Sequence, residues 1–455
     1  MTATAQSLAA FRAAIGDIPC SDDPKTLDAK SKDYYWYSPI LKEQLDGQLG
    51  QLIVTPRTEA EVITIAAAAA KLRLPITPRG GGTGNYGQCV PMQGGIILEM
   101  TKLDRIIEIT QGRVICEAGC RVERVENAVA ETGQMLSMFP STKRFATMAG
   151  FVCGGSGGIG SLRNGVLRDG ENITWLRLVT VEETPRIIEL RGSDILKVQH
   201  AYGTNGIITA MDYALFPATD WVHTIALFNG YDTALNFALK AQADGLDAYL
   251  MTVVEGRFAP FYKRLANHFP ASHDSVFSMI APSAMDDFRA RVAAMGGTVS
   301  LAGTLHELEA QRLPPAWECG WNHTTLQALK QEPGVWSYLQ VAYPQPFDPA
   351  VVTRQIARYG DEVLFHHEMA RMGGNVQIFA LPLVRWTNKA RMYEIIAEME
   401  QLDGCAIYDP HTITIEDGGM KEIDTSQIDF KREADPHGLM NPGKTRGWTP
   451  EMAKA

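Results

Sequence analysis

Five glycines fall within nine residues, Arg79 to Gly87, in the run RGGGTGNYG that follows a strand-like PIT. Glycine loses more backbone freedom on folding than any other residue, so this density needs a physical reason. One reason is close approach: successive N–H groups with no side chains in the way form a concave nest for a phosphate or pyrophosphate. The plain alternative is a flexible surface turn, since a glycine-rich segment alone is a weak signal. Spacing narrows the nucleotide readings. The pattern GxxxxGK[ST] is absent and no lysine follows the glycines, which removes the main support for an ATPase or kinase. A dinucleotide fingerprint should open into a helix with an acid about 20 residues on, whereas NYGQCVPMQGG continues as loop into a strand. A second cluster, TMAGFVCGGSGGIGSLRNG at 147–165, repeats the enrichment.

The rest of the chain bounds the class. Its 455 residues suffice for two or three domains with their own cores. The formal charge is −10, with no local block of basic residues, which argues against nucleic acid and anionic membranes as partners. The run VITIAAAAA stops at Lys71, too short for a membrane span, and MTATAQSLAAFRAAIG lacks a cationic start before an apolar core. The expectation is a cytoplasmic protein. Seven cysteines form no CxxC pair and read as free thiols, and Cys116 with Cys120 lacks the further ligands a metal site needs.

Periodicity organises the chain. QLIVTP, GGIILEM, RVICEAG, WLRLVTV, RIIELR and the stretch ending near Pro217 read as strands. TEAEVITIAAAAAKLRL and VERVENAVAETG read as helices, the latter ended by Gly133. From about residue 218, strands such as HTIALF, AYLMTVVEG, SVFSMIA, GTVSLAG, YLQVAYP and NVQIFALPLV alternate with helices such as DTALNFALKAQA, SAMDDFRARVAAM and KARMYEIIAEMEQL. A turn-rich tail follows.

Five ordered motifs then carry a resemblance. Pro75 to Gly84 (PITPRGGGTG) leads to a strand and the L-x-x-I of Leu103 to Ile106. FPST at Phe139 to Thr142 precedes TMAG at Thr147 to Gly150. GGSGGIGSLRNG spans Gly154 to Gly165, GTNGIIT spans Gly203 to Thr209, and DPHGLMNPGK spans Asp435 to Lys444. The set resembles the FAD-binding domain of the vanillyl-alcohol oxidase and p-cresol methylhydroxylase flavoproteins, over residues 51–217 and 435–448. The resemblance implies an α+β protein: a two-subdomain FAD-binding domain over 1–217, a ferredoxin-like cap over 218–405 covering the flavin, and a segment 406–455 returning to the first domain.

It also implies roles. Arg79, Gly80, Gly81, Gly82, Thr83 and Gly84 would wrap the pyrophosphate, with Asn85 and Gly87 near the flavin end. Pro140, Ser141 and Thr142 would flank the flavin ring, while Gly150, Gly154, Ser156, Gly157 and Ile159 would line ring and ribityl chain. Gly206, Ile207 and Ile208 would present backbone to the cofactor, with Asn441 from the tail. Relatives that tether FAD use a histidine where Thr83 stands, or a cysteine after F-P where Lys143, Arg144 and Phe145 offer none. Non-covalent FAD is therefore expected.

Hydroxylated substrates need a base besides the flavin. Where hydroxy-acid relatives carry an E-H-G-type motif, this sequence reads EDGG, Glu416 to Gly419, putting Asp417 in the histidine's place. His411 lies six residues upstream. On an extended strand the two would be about 20 Å apart, so only one serves a small substrate. His411 is favoured because its ordinary pKa is near neutral. Arg385 is a candidate carboxylate clamp, and Tyr408, Trp321, His323 and Asn441 are pocket candidates. His366, His367 and Glu368 lack a third spaced ligand, so no metal is expected. The expected reaction is hydride transfer from a 2-hydroxy acid, a phenol or another alcohol to the flavin. An electron acceptor (oxygen, a quinone or a redox protein) and a homodimer are the other expected partners. The rivals are a non-catalytic flavin-binding subunit of a redox complex and an NADPH-dependent flavin reductase.

Overall fold

A computed structural model describes residues 3–419, 421 and 423–454. The chain divides into two compact units. The first is made of Met1–Ser156, Leu167–Pro217 and Asp409–Ala455, the second of Gly157–Val166 and Ala218–Tyr408.

In the first unit, β1 (Cys20–Ser21), β2 (Leu52–Val54), β3 (Ile76–Arg79) and β4 (Ile96–Glu99) form a sheet in the order β1-β2-β4-β3, with β4 parallel to both β2 and β3. The crossover from β2 to β3 is the helix Glu59–Leu72. Thr58 caps it by accepting the Glu61 N–H, two acids occupy its first turn, and Arg73 closes it in the left-handed region at φ 53°. Val62, Ile65, Ala66 and Ala69 make its buried face.

The second sheet has the order β5-β6-β10-β8-β9, from Ile106–Thr110 (β5), Arg113–Glu117 (β6), Trp175–Val179 (β8), Ile187–Arg191 (β9) and Ile207–Pro217 (β10). Gln134–Leu136 (β7) pairs with the far end of β10.

The tail returns beside β3. Ile76 N–H donates to Leu439 O (2.9 Å) and Asn441 N–H donates to Ile76 O (2.8 Å). Asp435 organises that turn, accepting from the Leu439 and Met440 N–H groups at 2.9 and 2.8 Å and from Lys431 Nζ at 3.0 Å. Burial pushes its carboxyl up and the Lys431 ammonium opposes that. The stretch after His411 is not the extended strand its alternation suggests. Asp409 Oδ1 accepts the His411 N–H (2.9 Å), and Thr414 caps a short helix, Ile415–Gly418, by accepting the Asp417 N–H (3.3 Å).

The second unit is built on one antiparallel eight-stranded sheet. Its strands are β11 (Val222–Phe228), β12 (Ala248–Val254), β13 (Asp274–Ile280), β14 (Thr298–Gly303), β16 (Val341–Ala342), β18 (His366–Met372), β19 (Asn375–Ala380) and β21 (Ala406–Ile407). The order is β14-β11-β13-β12-β18-β19-β16-β21. With helices Tyr231–Ala243 and Met285–Ala294, the first four strands form a β-α-β-β-α-β unit in the order 4-1-3-2. With helices Ala350–Tyr359 and Lys389–Asp403, the last four repeat it. The expected single ferredoxin-like layer is thus two, joined where β12 pairs with β18, Thr252 opposite Glu368 and Val253 opposite His367.

Two expected strands are each divided. β15 (Trp336–Tyr338) and β20 (Leu383–Arg385) leave the large sheet to pair with each other and, through β20, with β17 (Val363–Leu364). Pro382, with no N–H for a ladder, stands at the β19–β20 break.

The segment 157–166 differs from expectation as well. Its helix Ser161–Asn164 packs on β12 and β18, Gly160 N–H donates to Tyr249 O (3.1 Å), and Arg163 pairs with Asp247 (3.0 Å). Gly157 and Ile159 therefore belong to the second unit, not to the domain over 1–217.

Candidate functional site

β3 delivers the chain into the first glycine loop, and the loop has two unlike sides. On the packed side, an added methyl would overlap Thr147 at Gly80, the Phe145 carbonyl at Gly81, the Arg79 guanidinium at Gly82 and the Gln88 amide at Gly84. Gly82 and Gly87 also need left-handed backbone, at φ 64° and 69°. These glycines are thus required by protein neighbours, a need that the nest argument alone does not contain. On the other side, the backbone N–H groups of Gly80, Gly81, Gly82, Thr83 and Gly84 donate to no other described residue. Such a row of unspent donors on a half-buried loop is the arrangement an anion completes. Arg79 does not aim its side chain there. Its Nη1 donates to Lys32 O (2.6 Å) and Cys89 Sγ (3.1 Å), fastening the loop to the N-terminal segment, where Tyr34 N–H also donates to Gly84 O (2.8 Å).

The second cluster meets the first through Gln88, whose Nε2 donates to Gly154 O at 3.0 Å. Pro140, Ser141 and Thr142 open a tight turn in which Pro140 O accepts the Lys143 N–H (3.0 Å) and Thr142 O accepts the Phe145 N–H (2.9 Å). Thr147 then caps the helix Met148–Gly154 by accepting the Gly150 N–H at 3.2 Å. Ser156 O takes the Leu167 N–H at 2.9 Å. His200, at a strained φ of 49°, places Nδ1 3.1 Å from Gly155 O, and burial lowers its pKa to about 4, so the ring is neutral and Nδ1 is the donor. Gly206 enters β10 at φ 90°; Ile207 and Ile208 are buried and register with Val179 and Leu178 of β8, while pairing to β6 starts only at Ala210. Asn441 spends Nδ2 on Gln88 O and Tyr202 O, both at 2.6 Å.

Several buried polar atoms of this unit find no partner among the described residues: Arg79 Nε, Asn85 Nδ2, His200 Nε2, Asn441 Oδ1 and Lys444 Nζ. Buried donors and acceptors without partners are costly and call for a ligand. Lys444 faces Asp33 and Cys89 near Gly87. Burial lowers its ammonium to about 8 and raises the Asp33 carboxyl to about 6, each opposed by the other's charge. Open N–H groups, a cation and two glycine segments joined by one glutamine suit a dinucleotide whose phosphates are anionic and whose ring system is flat. FAD fits these residues.

The catalytic candidates fall in both units. In the first, His411 is buried and its Nδ1 lies 2.7 Å from Ser38 Oγ. Asp417 is exposed and held below the usual carboxylate range by Arg446 Nη1 at 2.6 Å and by Thr414. In the second, Arg385 is exposed on β20 and lies over the Trp336 ring at 4.5 Å. Tyr408 follows β21 and lines a small cavity of about 180 Å³ with Tyr343, Gln345 and Gln377. Arg385 is thus on the three-stranded sheet, whereas Tyr408 follows the last strand of the eight-stranded one.

The seam of the eight-stranded sheet carries polar groups on both faces. On one face, His367 lies between two tyrosines. Tyr343 O–H donates to Gln355 Oε1 (2.7 Å), so its oxygen accepts from His367 Nε2 (3.0 Å), and Nδ1 accepts from Tyr231 O–H (2.5 Å). Gln355 passes the chain to Asp403 (2.9 Å), which Arg358 holds at 2.8 Å. Burial lowers His367 to about 3, consistent with a neutral ring in this chain. On the other face, Glu368 accepts from Thr252 O–H and from Trp321 N–H, both at 2.6 Å, with His366 Nδ1 at 3.4 Å. Trp321 stands at φ 52°, ψ −142°, a conformation that costs a non-glycine residue about 1–3 kcal/mol and persists only where its surroundings impose it. No group of three or more potential metal ligands occurs among the described residues.

The open cradle of the first unit is that of an FAD-binding domain. Residues 50–189 match the family model of the FAD binding domain, and this stretch is such a domain. Over nearly its whole length the chain shares its fold with solved structures. Alkyldihydroxyacetonephosphate synthase superposes over 97% of this chain and 86% of its own, with TM-score 0.74 at 14% identity. 4-Ethylphenol oxidase from Gulosibacter chungangensis superposes over 98% of both chains, with TM-score 0.70 at 17% identity. In sequence, the chain is 29% identical over 201 residues to D-lactate dehydrogenase of Archaeoglobus fulgidus, which covers 42% of this chain and 44% of that relative. The matched part therefore spans less than half of that relative's length.

Proposed function

We propose that the protein is an FAD-dependent oxidoreductase that oxidises the C–H of a small 2-hydroxy acid. The reading rests on the row of unspent N–H groups at Gly80–Gly84, with the sequence similarity to a D-lactate dehydrogenase as support for the substrate class. When bound, FAD supplies the hydride acceptor. The loop's N–H groups would hold the pyrophosphate without adding net charge, the turn at Pro140–Thr142 and the helix Met148–Gly154 would serve the ring, and Asn85 and Asn441 would offer amide atoms. Thr83 and the 143–145 stretch provide no tether, so the cofactor is held non-covalently. Cys153 is no alternative, since burial pushes its thiol up to about 12.

The substrate's O–H proton goes to His411. Ser38 Oγ, 2.7 Å from Nδ1, orients its ring as an orienting group does for a base. Asp417 suits the task less, because its pairing with Arg446 favours the charged, weakly basic form. An electron acceptor (oxygen, a quinone or a redox protein) would complete the turnover.

The test is an anaerobic screen of D- and L-2-hydroxy acids, phenols and simple alcohols for loss of visible flavin absorbance. Bleaching by one 2-hydroxy acid series is expected. Bleaching by phenols alone would replace the acid reading with a phenolic one, and bleaching by NADPH alone would make the protein a flavin reductase. Denatured protein should release all of its yellow colour.

A further inference from the structure

Two opposite charges lie buried behind the first glycine loop without touching each other, and every residue around them belongs to the first unit. Lys444, from the tail, is fully buried, and its Nζ finds no hydrogen-bond acceptor among the described residues. A methyl on Gly87 would lie 3.7 Å from that Nζ, so the loop runs close against the ammonium. Asp33, from the N-terminal segment, is 6% exposed, and its Oδ1 accepts the Tyr35 N–H at 2.9 Å. Its Oδ2 would lie 3.5 Å from a methyl on Gly84. The stretch Gly84–Gly87 thus has a carboxyl at one end and an ammonium at the other.

The titratable groups around this pair do not neutralise it. Asp33 is faced by Lys444 from the tail, by Arg79 and Cys89 from the loop and its exit, and by the hydroxyls of Tyr35 and Tyr202. Lys444 is faced by Asp33 and Cys89. Arg79 is engaged elsewhere, its Nη1 donating to Lys32 O (2.6 Å) and Cys89 Sγ (3.1 Å). Burial pushes the Cys89 thiol up to about 11 and raises both tyrosine hydroxyls, so all three stay neutral. Burial also raises the Asp33 carboxyl to about 6, against the pull of Lys444, whose ammonium it lowers to about 8. Asp33 has a route to solvent as well. It lines a cavity of about 430 Å³ together with Lys42 and Asp46, both exposed.

An ammonium shut away from water with no hydrogen bond is costly, and an anion on the open N–H groups of Gly80–Gly84 offsets that cost. The same anion disfavours a second negative charge beside it, which is the charge of Asp33.

We propose that the cradle takes its phosphate-bearing ligand together with one proton: Lys444 supplies the charge that the phosphates meet, and Asp33 is the positioning carboxylate that is neutralised as they arrive. The proton comes from solvent through the cavity and adds to a carboxylate oxygen of Asp33, leaving an ammonium beside a neutral acid in the filled cradle. FAD as the ligand rests on the cofactor reading above. The proton coupling rests on these side chains and holds for any ligand with a pyrophosphate diester. Linkage then fixes the sign: a group that binds its proton more tightly in the filled state makes affinity fall as pH rises.

The experiment titrates full-length protein freed of flavin, by fluorescence quenching, with FAD and with riboflavin. Both FAD phosphates are esterified and keep their charge throughout, whereas riboflavin has the ring and no phosphate. Calorimetry at pH 6.5 in two buffers of different ionisation enthalpy counts the protons. Wild type is expected to take up more than about half a proton per FAD, and to bind FAD at least about tenfold more weakly at pH 8 than at pH 6. Asp33→Asn keeps the shape and an acceptor for the Tyr35 N–H, and should take up less than about a third of a proton. Lys444→Met should weaken FAD at pH 6.5 at least about tenfold and riboflavin less than about threefold, while Lys444→Arg restores most of the loss. Should Lys444→Met fail to fold, the proton count of Asp33→Asn decides alone, because a merely structural role would not move it. FAD binding without proton uptake in wild type overturns the proposal, as does a wild-type count in Asp33→Asn. A Lys444→Met loss equal for FAD and riboflavin, or absent for both, overturns it too. A wild type that binds neither flavin removes the FAD reading. ADP-ribose, a pyrophosphate diester without flavin, is then titrated: uptake of a proton with it keeps the coupling, and no uptake ends it.

Discussion

The glycines of the first loop and the turn glycines of the second unit are the same residue used for opposite reasons. At Gly80, Gly81, Gly82 and Gly84 a methyl would strike protein, and the backbone donors on the free side of that loop are left without partners. At Gly230, Gly334 and Gly374 nothing lies within 4 Å of an added methyl, and the residue serves only a positive φ of 114°, 80° and 85°. Polar groups divide in a related way. The first unit keeps a cation and several amide atoms unsatisfied around its cradle, while the His367 chain of the second is saturated from Tyr231 to Arg358. Open donors with crowded glycines mark a site awaiting a ligand; closed networks with open glycines mark architecture.

The contrast breaks most sharply at Gly81. Gly81→Ala must displace the Phe145 carbonyl and should leave purified protein with less than about a tenth of the wild-type flavin, an overpacking penalty of about 3 kcal/mol read from its visible absorbance. Next is the closed network. His367→Leu strands two buried tyrosine hydroxyls and should cost about 3 kcal/mol in denaturant unfolding with flavin content unchanged.

Acid should act on both units with the same sign. His200 and His367 have folded pKa values of about 4 and about 3, below the ordinary 6.5. Below about pH 6.5 the unfolded chain takes up protons that the folded one refuses, so stability is full above that pH and falls as pH drops toward 4. The loss is on the order of 3 kcal/mol per histidine. Unfolding midpoints of wild type and His200→Gln at pH 7.5 and pH 4.5 check it, the variant having the shallower loss.

Gly374→Ala should cost only about 1 kcal/mol, a shift of a few degrees in the thermal midpoint, because strain acts there without a clash. Smallest is Asp417→Asn. Its solvent-exposed pair with Arg446 contributes little to stability, and turnover near that of wild type would sharpen the choice of His411 as base.

Much of this was legible where the signal is local. The β2–helix–β3 unit, the two glycine clusters and the DPHGLMNPGK return are written in contiguous residues, and the helix and strand periods of the second unit are long enough to read. What escaped depends on contacts distant in sequence or on elements too short to have a period. Asp33, Ser38 and the Lys32 carbonyl back the loop, the Lys444 cluster and His411 from a stretch with no motif. Gln88 joins the glycine clusters from a position that looks like ordinary loop. The duplication of the sheet stayed hidden because β16 and β21 have two residues each, too few for alternation to show. At 411–415 the alternation of β-branched residues suggested a strand, but the Asp409 turn and the Thr414 cap satisfy the backbone locally and win.

The pairing of β12 with β18 has a consequence for the life of the chain in crowded solution. Two separate four-stranded sheets would present four exposed borders, each a template on which another polypeptide could add a strand. Fusing them through their equivalent strands leaves only β14 and β21, the latter two residues long. Edge-to-edge aggregation needs a long, flat, unpaired strand. By spending its longest borders on each other, the duplicated sheet reduces its own propensity to polymerise, and a substitution that loosens the central seam would expose two new templates at once.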